Sequence, residues 1–191
     1  MFDLDRFIED CRAALRERAP EIAMKELVAR TVAEPAEIER VLGTPASGGA
    51  VRLHHSPELT ILNVVWTPGM AIYPHDHRLW AVIGLYGGRE DNTFYRRDGQ
   101  GLVEAGGKRL ETSDTTVLGR DVIHAVANPL RRYTGAIHVY GGDFYAIARS
   151  EWDPETREER PYDVHRAMKV FTDADARWRQ QCGADSPRTH A

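Results

Sequence analysis

The chain reads as mainly β, a sandwich or jelly-roll barrel flanked by helices, and three observations predict this. From about Val51 onward, short segments rich in β-branched and aromatic residues follow one another closely. Gly87-Gly88, Asp98-Gly99, Gly106-Gly107 and Gly141-Gly142 punctuate them as turns. Helical periodicity is confined to the two ends. Many short strands with glycine turns are the pattern of a two-sheet or closed β architecture.

The elements follow in order. From Asp3 to Arg18, the residues Leu4, Phe7, Ile8, Cys11, Ala14 and Leu15 recur at steps of three and four, one face of an amphipathic helix. Pro20 opens a second helix at its first turn, carrying Ile22, Ala23, Leu27 and Val28. Pro35 opens a third, and Gly43 stops it just after Leu42. Residues 1–44 are therefore expected to form a helical cap on the outside of a barrel spanning residues 45–160. Strands are expected at Leu59 to Thr67, Trp80 to Tyr86, Thr93 to Arg97, Thr115 to Leu118, Tyr133 to Tyr140 and Phe144 to Arg149. Residues 161–191 return to helical spacing from Val164 to Gln180, and the polar tail after Cys182 is expected to be disordered. No repeat or linker divides the chain, so residues 1–191 are read as one domain.

Composition narrows the function classes. With 28% charged and 42% apolar residues the chain has the balance of a soluble globular protein. A net charge of −4 argues against a nucleic-acid partner, which needs a basic surface. No apolar run approaches membrane-spanning length, and the start Met1-Phe2-Asp3-Leu4 lacks the basic and apolar regions of a signal peptide. Cys11 and Cys182 lie far apart near the two ends and read as reduced thiols rather than a bridge. A cytoplasmic protein without nucleic-acid or membrane partners is expected, with a homo-oligomer left open.

The chemistry concentrates in His75-Asp76-His77 and in the distant His124. Side chains two apart on a strand share a face, so His75 and His77 can aim two imidazoles at one point. A third imidazole from another strand completes a three-histidine metal site. Neutral imidazole suits zinc, copper, iron and nickel alike. Asp76 should point the other way, to order the strand or accept a hydrogen bond. His54 and His55 are adjacent, so at most one faces any cavity, while His165 and His190 have no partner at ligand spacing. His138 and Tyr140 share a strand face with Ala136. No phosphate-binding glycine loop, Gly-x-Ser-x-Gly or Cys-x-x-Cys is present.

The surroundings of these histidines carry a resemblance. Gly69-Met70-Ala71-Ile72-Tyr73-Pro74-His75-Asp76-His77, an apolar stretch from Leu79 to Leu85, and Gly87-Gly88 resemble the first motif of the cupin superfamily. The run from Gly119 to Asn128 resembles the second, keeping His-x-x-x-Asn, with Gly119 and Asp121 in place of the usual proline and glycine. Where most cupins have a glutamate ligand, Trp80, Ala81 and Val82 offer no carboxylate. A cupin with three histidines and no glutamate resembles the cysteine dioxygenase family, here over roughly residues 45–160. Trp66, Arg52, His138-Val139-Tyr140 and the hairpin-like Trp152-Asp153-Pro154-Glu155-Thr156 extend the likeness. Two departures stand out. Ala136 replaces the family's serine two residues before the outer histidine, and no cysteine near Trp80 is available for the tyrosine crosslink, as in bacterial members.

The resemblance implies a double-stranded β-helix holding one Fe(II) on His75, His77 and His124. Zn, Ni, Mn or Cu remain open from the residues alone. It implies that Arg52 holds a substrate carboxylate, that Tyr140 positions substrate or oxygen, and that His138 orients the tyrosine hydroxyl. The implied reaction is oxidation of a small carboxylated thiol to its sulfinate by O2. Two alternatives stay open: a three-histidine cupin that cleaves a carbon–carbon bond, and a non-catalytic cupin that binds a metal or small molecule.

Overall fold

Three helices lead into the β structure: α1 (Leu4–Ala14), α2 (Pro20–Val32) and α3 (Pro35–Leu42). The strands are β1 (Gly49–His55), β2 (Thr60–Trp66), β3 (Ala71–Asp76), β4 (Ala81–Gly87), β5 (Arg89–Asp98) and β6 (Gly101–Glu111). They continue with β7 (Thr115–Leu118), β8 (Ile123–Ala127), β9 (Thr134–Tyr140), β10 (Ser150–Trp152) and β11 (Glu159–Pro161), before α4 (Val164–Ala184). The structure, a computed structural model, describes residues 1–99 and 101–184; the expected polar tail and His190 lie largely or wholly outside them. Among the described residues no helix is long and apolar enough to cross a membrane.

The strands form two antiparallel sheets, ordered β1-β2-β9-β4-β7 and β11-β10-β3-β8-β5-β6. Pairing runs β2 with β9, β3 with β8, β4 with β7 and β5 with β6. That is one long hairpin of eight strands rolled up so that successive pairs fall on opposite sheets, the jelly-roll topology. The expected fold class, mainly β with helices at both ends, is the one observed.

β2 and β9 are buried along their whole length on both faces. Their outer face carries Ile61, Ile137 and Val139, which pack with Met24, Val28 and Val32 of α2 and Phe7 and Cys11 of α1. Gly84 of β4 makes the close approach of α2 feasible, because a Cβ there would lie 2.4 Å from Val28 Cγ1. Pro20 and Pro35 stand at the first turns of α2 and α3, where a missing N–H costs nothing. Burial pushes the Cys11 thiol well up from its ordinary range, and both cysteines are free.

The inner faces form a second core, in which Leu62, Val64 and Trp66 of β2 meet Ala167, Phe171 and Ala174 of α4. Trp66 and Phe171 stack with ring centroids 5.3 Å apart. α4 is further anchored by Asp175, which accepts Ser47 Oγ at 2.6 Å and Gly48 N at 3.0 Å. One expected strand does not form. Residues 144–149 are turn and irregular chain, because Asp143 Oδ1 accepts from Tyr145 N at 2.9 Å and Ala146 N at 3.0 Å. This side-chain turn competes with sheet pairing and wins over the segment's β propensity.

Candidate metal centre

His75 and His124 are direct cross-strand partners on β3 and β8, and His77 follows β3 by one residue. All three are buried, and one ligand nitrogen from each lies within 4.8 Å of the others. His77 Nε2 and His124 Nε2 are 3.3 Å apart. Two nitrogens each ~2.0–2.1 Å from one ion at a tetrahedral angle stand roughly 3.4 Å apart, so this spacing fits a shared ion.

Neighbouring groups select the ring nitrogen each histidine offers. His75 Nδ1 faces the Tyr73 carbonyl oxygen at 3.0 Å and can only donate to it. His124 Nδ1 faces Asn92 Oδ1 at 2.7 Å. Both rings therefore carry their proton on Nδ1 and leave Nε2 as a free lone pair, the arrangement metal-binding imidazoles require. Burial pushes His75 down to about 4, and holds His77 and His124 well below the ordinary histidine range, with the neighbouring imidazoles adding to the effect. Three neutral, buried imidazoles converging on one point are a donor set that fits a divalent transition metal.

Asp76 points away from this cluster, as its place between the histidines predicts. Its buried carboxylate accepts Ser150 N at 2.8 Å and pairs with Arg78 at 2.7 Å, tying β3 to β10. His55 bonds Asp143 at 2.9 Å and His54 precedes it on β1; neither belongs to the three-histidine group.

The histidines open into a cavity of about 460 Å³ whose wall is mostly apolar, with Val64, Ile72, Val126 and Phe171 among its side chains. Tyr140 and His138 also line it. Tyr140 stands edge-on to His77 with centroids 5.1 Å apart, and its hydroxyl is 3.1 Å from His138 Nδ1. Burial raises the Tyr140 hydroxyl far above its ordinary range and lowers His138 to about 3, so both are neutral.

Arg52 lies level with Leu62 and His138 in the strand register but on the edge strand, where its side chain is exposed. Its guanidinium sits 6.0 Å from the Tyr145 ring, and it is not among the residues that line the cavity. The guanidinium on the cavity wall belongs to Arg149. It is sandwiched between Phe144 and Tyr162, 3.7 and 4.0 Å from the ring centroids. Sequence reading missed it because the segment looks like a strand with a solvated end.

A second missed feature is a buried carboxyl behind the histidines. Glu90 is fully buried; its Oε1 accepts Asn92 Nδ2 at 2.9 Å and its Oε2 accepts Trp66 Nε1 at 2.9 Å. Burial pushes the Glu90 carboxyl up to about 7, and the two N–H donors pull the other way. The signal was available as the alternation Glu90-x-Asn92, but Arg89-Glu90-Asp91-Asn92 reads as a polar turn.

No family model matches the chain. Among solved structures it is similar to a Bacillus halodurans protein at 15% identity, covering 56% of this chain and 76% of that one, with a TM-score of 0.47. It is similar to a cupin superfamily protein from Desulfitobacterium hafniense at 15% identity, over 53% of this chain and 86% of that one, TM-score 0.44. It is also similar to the DMSP lyase DddQ from Ruegeria pomeroyi at 18% identity, over 56% of this chain and 52% of that one, TM-score 0.45. The chain thus spans about half the length of that lyase. The strand order, rather than these likenesses, carries the fold: a jelly roll with a buried three-histidine cluster.

Proposed function

We propose that the protein is a mononuclear Fe(II) thiol dioxygenase, converting a carboxylated thiol and O2 into the sulfinate. The observation that carries this reading is the juxtaposition in one cavity of three neutral histidines, a buried phenol and one guanidinium. An Fe(II) ion on His75, His77 and His124, uncompensated by any carboxylate ligand, would favour an anionic thiolate and supply the electrons that activate O2.

The chain's own groups do the rest. Arg149, held flat by two aromatic rings, presents a fork suited to a substrate carboxylate. Tyr140 holds a neutral hydroxyl beside His77; it donates to His138 Nδ1, which fixes its direction and leaves the phenol oxygen to accept from a substrate donor. The apolar wall excludes water from the sulfur. In the overall reaction both atoms of O2 end on sulfur, which loses four electrons, while the thiol proton is retained in the sulfinic acid or released.

The mostly apolar wall and the cavity volume of about 460 Å³ also favour a second reading, a three-histidine dioxygenase that cleaves a carbon–carbon bond in a diketone. Oxygen uptake by the iron-loaded protein separates the two. Uptake with carboxylated thiols, with two labelled oxygen atoms on sulfur from labelled O2, supports thiol oxygenation. Uptake with diketones alone supports the second reading, and uptake with neither leaves a binding protein.

A further inference from the structure

We propose that Glu90 is a positioning residue for the metal centre: through Asn92 it fixes the tautomer of His124 that leaves Nε2 free for the ion. This rests on reading the three histidines as a metal site and is independent of the thiol chemistry.

The argument follows hydrogen-bond polarity along one buried chain. Trp66 Nε1 can only donate, so it fixes Oε2 of Glu90 as an acceptor. Oε1 of the same carboxylate accepts from Asn92 Nδ2. An amide that has committed its NH2 to Glu90 must offer its oxygen on the other side, and Asn92 Oδ1 lies 2.7 Å from His124 Nδ1. Only the imidazole with its proton on Nδ1 fits there. Glu90 is fully buried and Asn92 nearly so, so water is not at hand to repair a mismatch.

The same carboxyl faces the other functional pair. His138 Nε2 is buried without a hydrogen-bond partner among the described residues, and it lies 3.9 Å from Glu90 Oε2. A nearby carboxylate favours a proton on that nitrogen, which leaves His138 Nδ1 to accept from the Tyr140 hydroxyl. The position two residues before His138 is Ala136, which offers no hydroxyl for this task. Glu90 thus stands behind a proposed ligand and behind Tyr140 at once.

The isosteric change Glu90→Gln tests the polarity directly. Trp66 keeps the glutamine oxygen, so the glutamine NH2 turns toward Asn92. To avoid two facing NH2 groups, Asn92 must turn over and present its own NH2 to His124 Nδ1. The ring proton then moves to Nε2, the atom the metal needs. Adding Asn92→Asp restores the order, because the aspartate accepts from the glutamine NH2 on one oxygen and from His124 Nδ1–H on the other. Net charge is the same as in the wild type.

The measurement is affinity for Zn(II) and Co(II) by competition with a chromophoric chelator, alongside nitrogen-15 NMR of the His124 tautomer in metal-free protein. Glu90→Gln should weaken binding by about 10–100-fold, the usual effect of losing a partner behind a ligand. The double variant Glu90→Gln/Asn92→Asp should recover most of that loss. An unchanged affinity in Glu90→Gln, or a double variant no better than the single, overturns the proposal. Should the variants fold poorly, the wild-type spectrum still decides: a proton on Nε2 of His124 rather than Nδ1 overturns it. Wild-type protein that binds neither metal overturns the metal-centre reading instead.

Discussion

His75 and His124 face each other in register across β3 and β8, with ring centroids 4.7 Å apart. The third proposed ligand is therefore placed by sheet pairing rather than by a loop, and its distance from the first is as fixed as the ladder itself. His77, one residue beyond the strand end, closes the triangle. Sites built on paired strands are held more tightly than sites on loops.

Each of His75→Ala, His77→Ala and His124→Ala should lower metal content by at least about tenfold, while the far-ultraviolet circular dichroism stays that of the wild type. A two-nitrogen remnant binds poorly, and the sheet hydrogen bonds are made by backbone, not by the imidazoles. Metal analysis by mass spectrometry after equilibrium dialysis checks this. Full metal content in any single variant would remove that histidine from the ligand set.

Tyr140→Phe should lower turnover by about 10–100-fold with little change in thiol binding, if its hydroxyl acts mainly in the transition state. The Tyr140 ring packs on Phe144 at 4.2 Å, and phenylalanine keeps that contact. Metal content should not change. An equal fall in thiol affinity and turnover would make the tyrosine a binding group only.

The sequence made some of this legible and hid the rest for identifiable reasons. His75 and His77 were readable because strand periodicity puts them on one face, and His124 because it sits in a second recognisable motif. The helical ends were readable from three- and four-residue spacing and from Pro20 and Pro35. Glu90 and Asn92 were hidden because their neighbours Arg89 and Asp91 pair on the outer face, making the whole run look solvated. Arg149 was hidden because its place depends on the Asp143 side-chain turn and on two rings distant from each other in sequence. That Arg52 lies on a strand before Trp66 was readable by resemblance, but its exposure at a sheet edge was not, since edge and interior strands share one alternation.

Gly88→Ala should destabilise the fold by about 1–3 kcal/mol, the range for forcing a residue into a disfavoured backbone region. Gly88 has φ +84°, and an added Cβ would stand 2.8 Å from the Thr134 Cα. Thr134 itself brackets Arg89 through its hydroxyl, so the turn has little room to shift. Chemical denaturation of metal-free protein checks this, and an unchanged midpoint would show that the β4–β5 turn relaxes freely.

Two opposite pH effects should be separable in metal-free protein. His75 and His138 are held down to about 4 and about 3 by burial, so the unfolded chain binds protons below about 6.5 that the fold does not. Their contribution is complete above that pH and is lost as pH falls. Glu90 is held up to about 7, so between about 4.5 and 7 the fold binds a proton that the unfolded chain has released, and stability from this group falls as pH rises. Removing the acid with Glu90→Gln removes the opposing effect. Denaturation from pH 7 down to 5 should then show a steeper loss of stability on acidification in the variant, by up to about 1.4 kcal/mol per pH unit. Parallel curves would mean that Glu90 stays ionised throughout.

Arg149 and Arg52 make opposite predictions for the same substrate. Arg149 Nη1 donates to the Phe144 carbonyl at 2.5 Å, and its buried Nε has no hydrogen-bond partner among the described residues. A carboxylate in the cavity would satisfy that fork, whereas Arg52, exposed on the edge strand β1, would offer only a screened charge. Arg149→Ala should therefore weaken binding of a carboxylated thiol to the Fe(II) protein by about 1.5–3 kcal/mol, the range for hydrogen bonds to charged groups. Arg52→Ala should change it by less than about 0.5 kcal/mol, as surface substitutions generally do. Arg149→Lys should recover only part of the loss, because lysine keeps the charge but neither stacks flat between Phe144 and Tyr162 nor presents a fork. A thiol of the same length without the carboxylate is the control, measured by anaerobic titration against the same variants. If Arg149→Ala costs that thiol as much as the carboxylated one, the arginine serves to hold residues 144–149 in place, and the case for a carboxylated substrate falls with it.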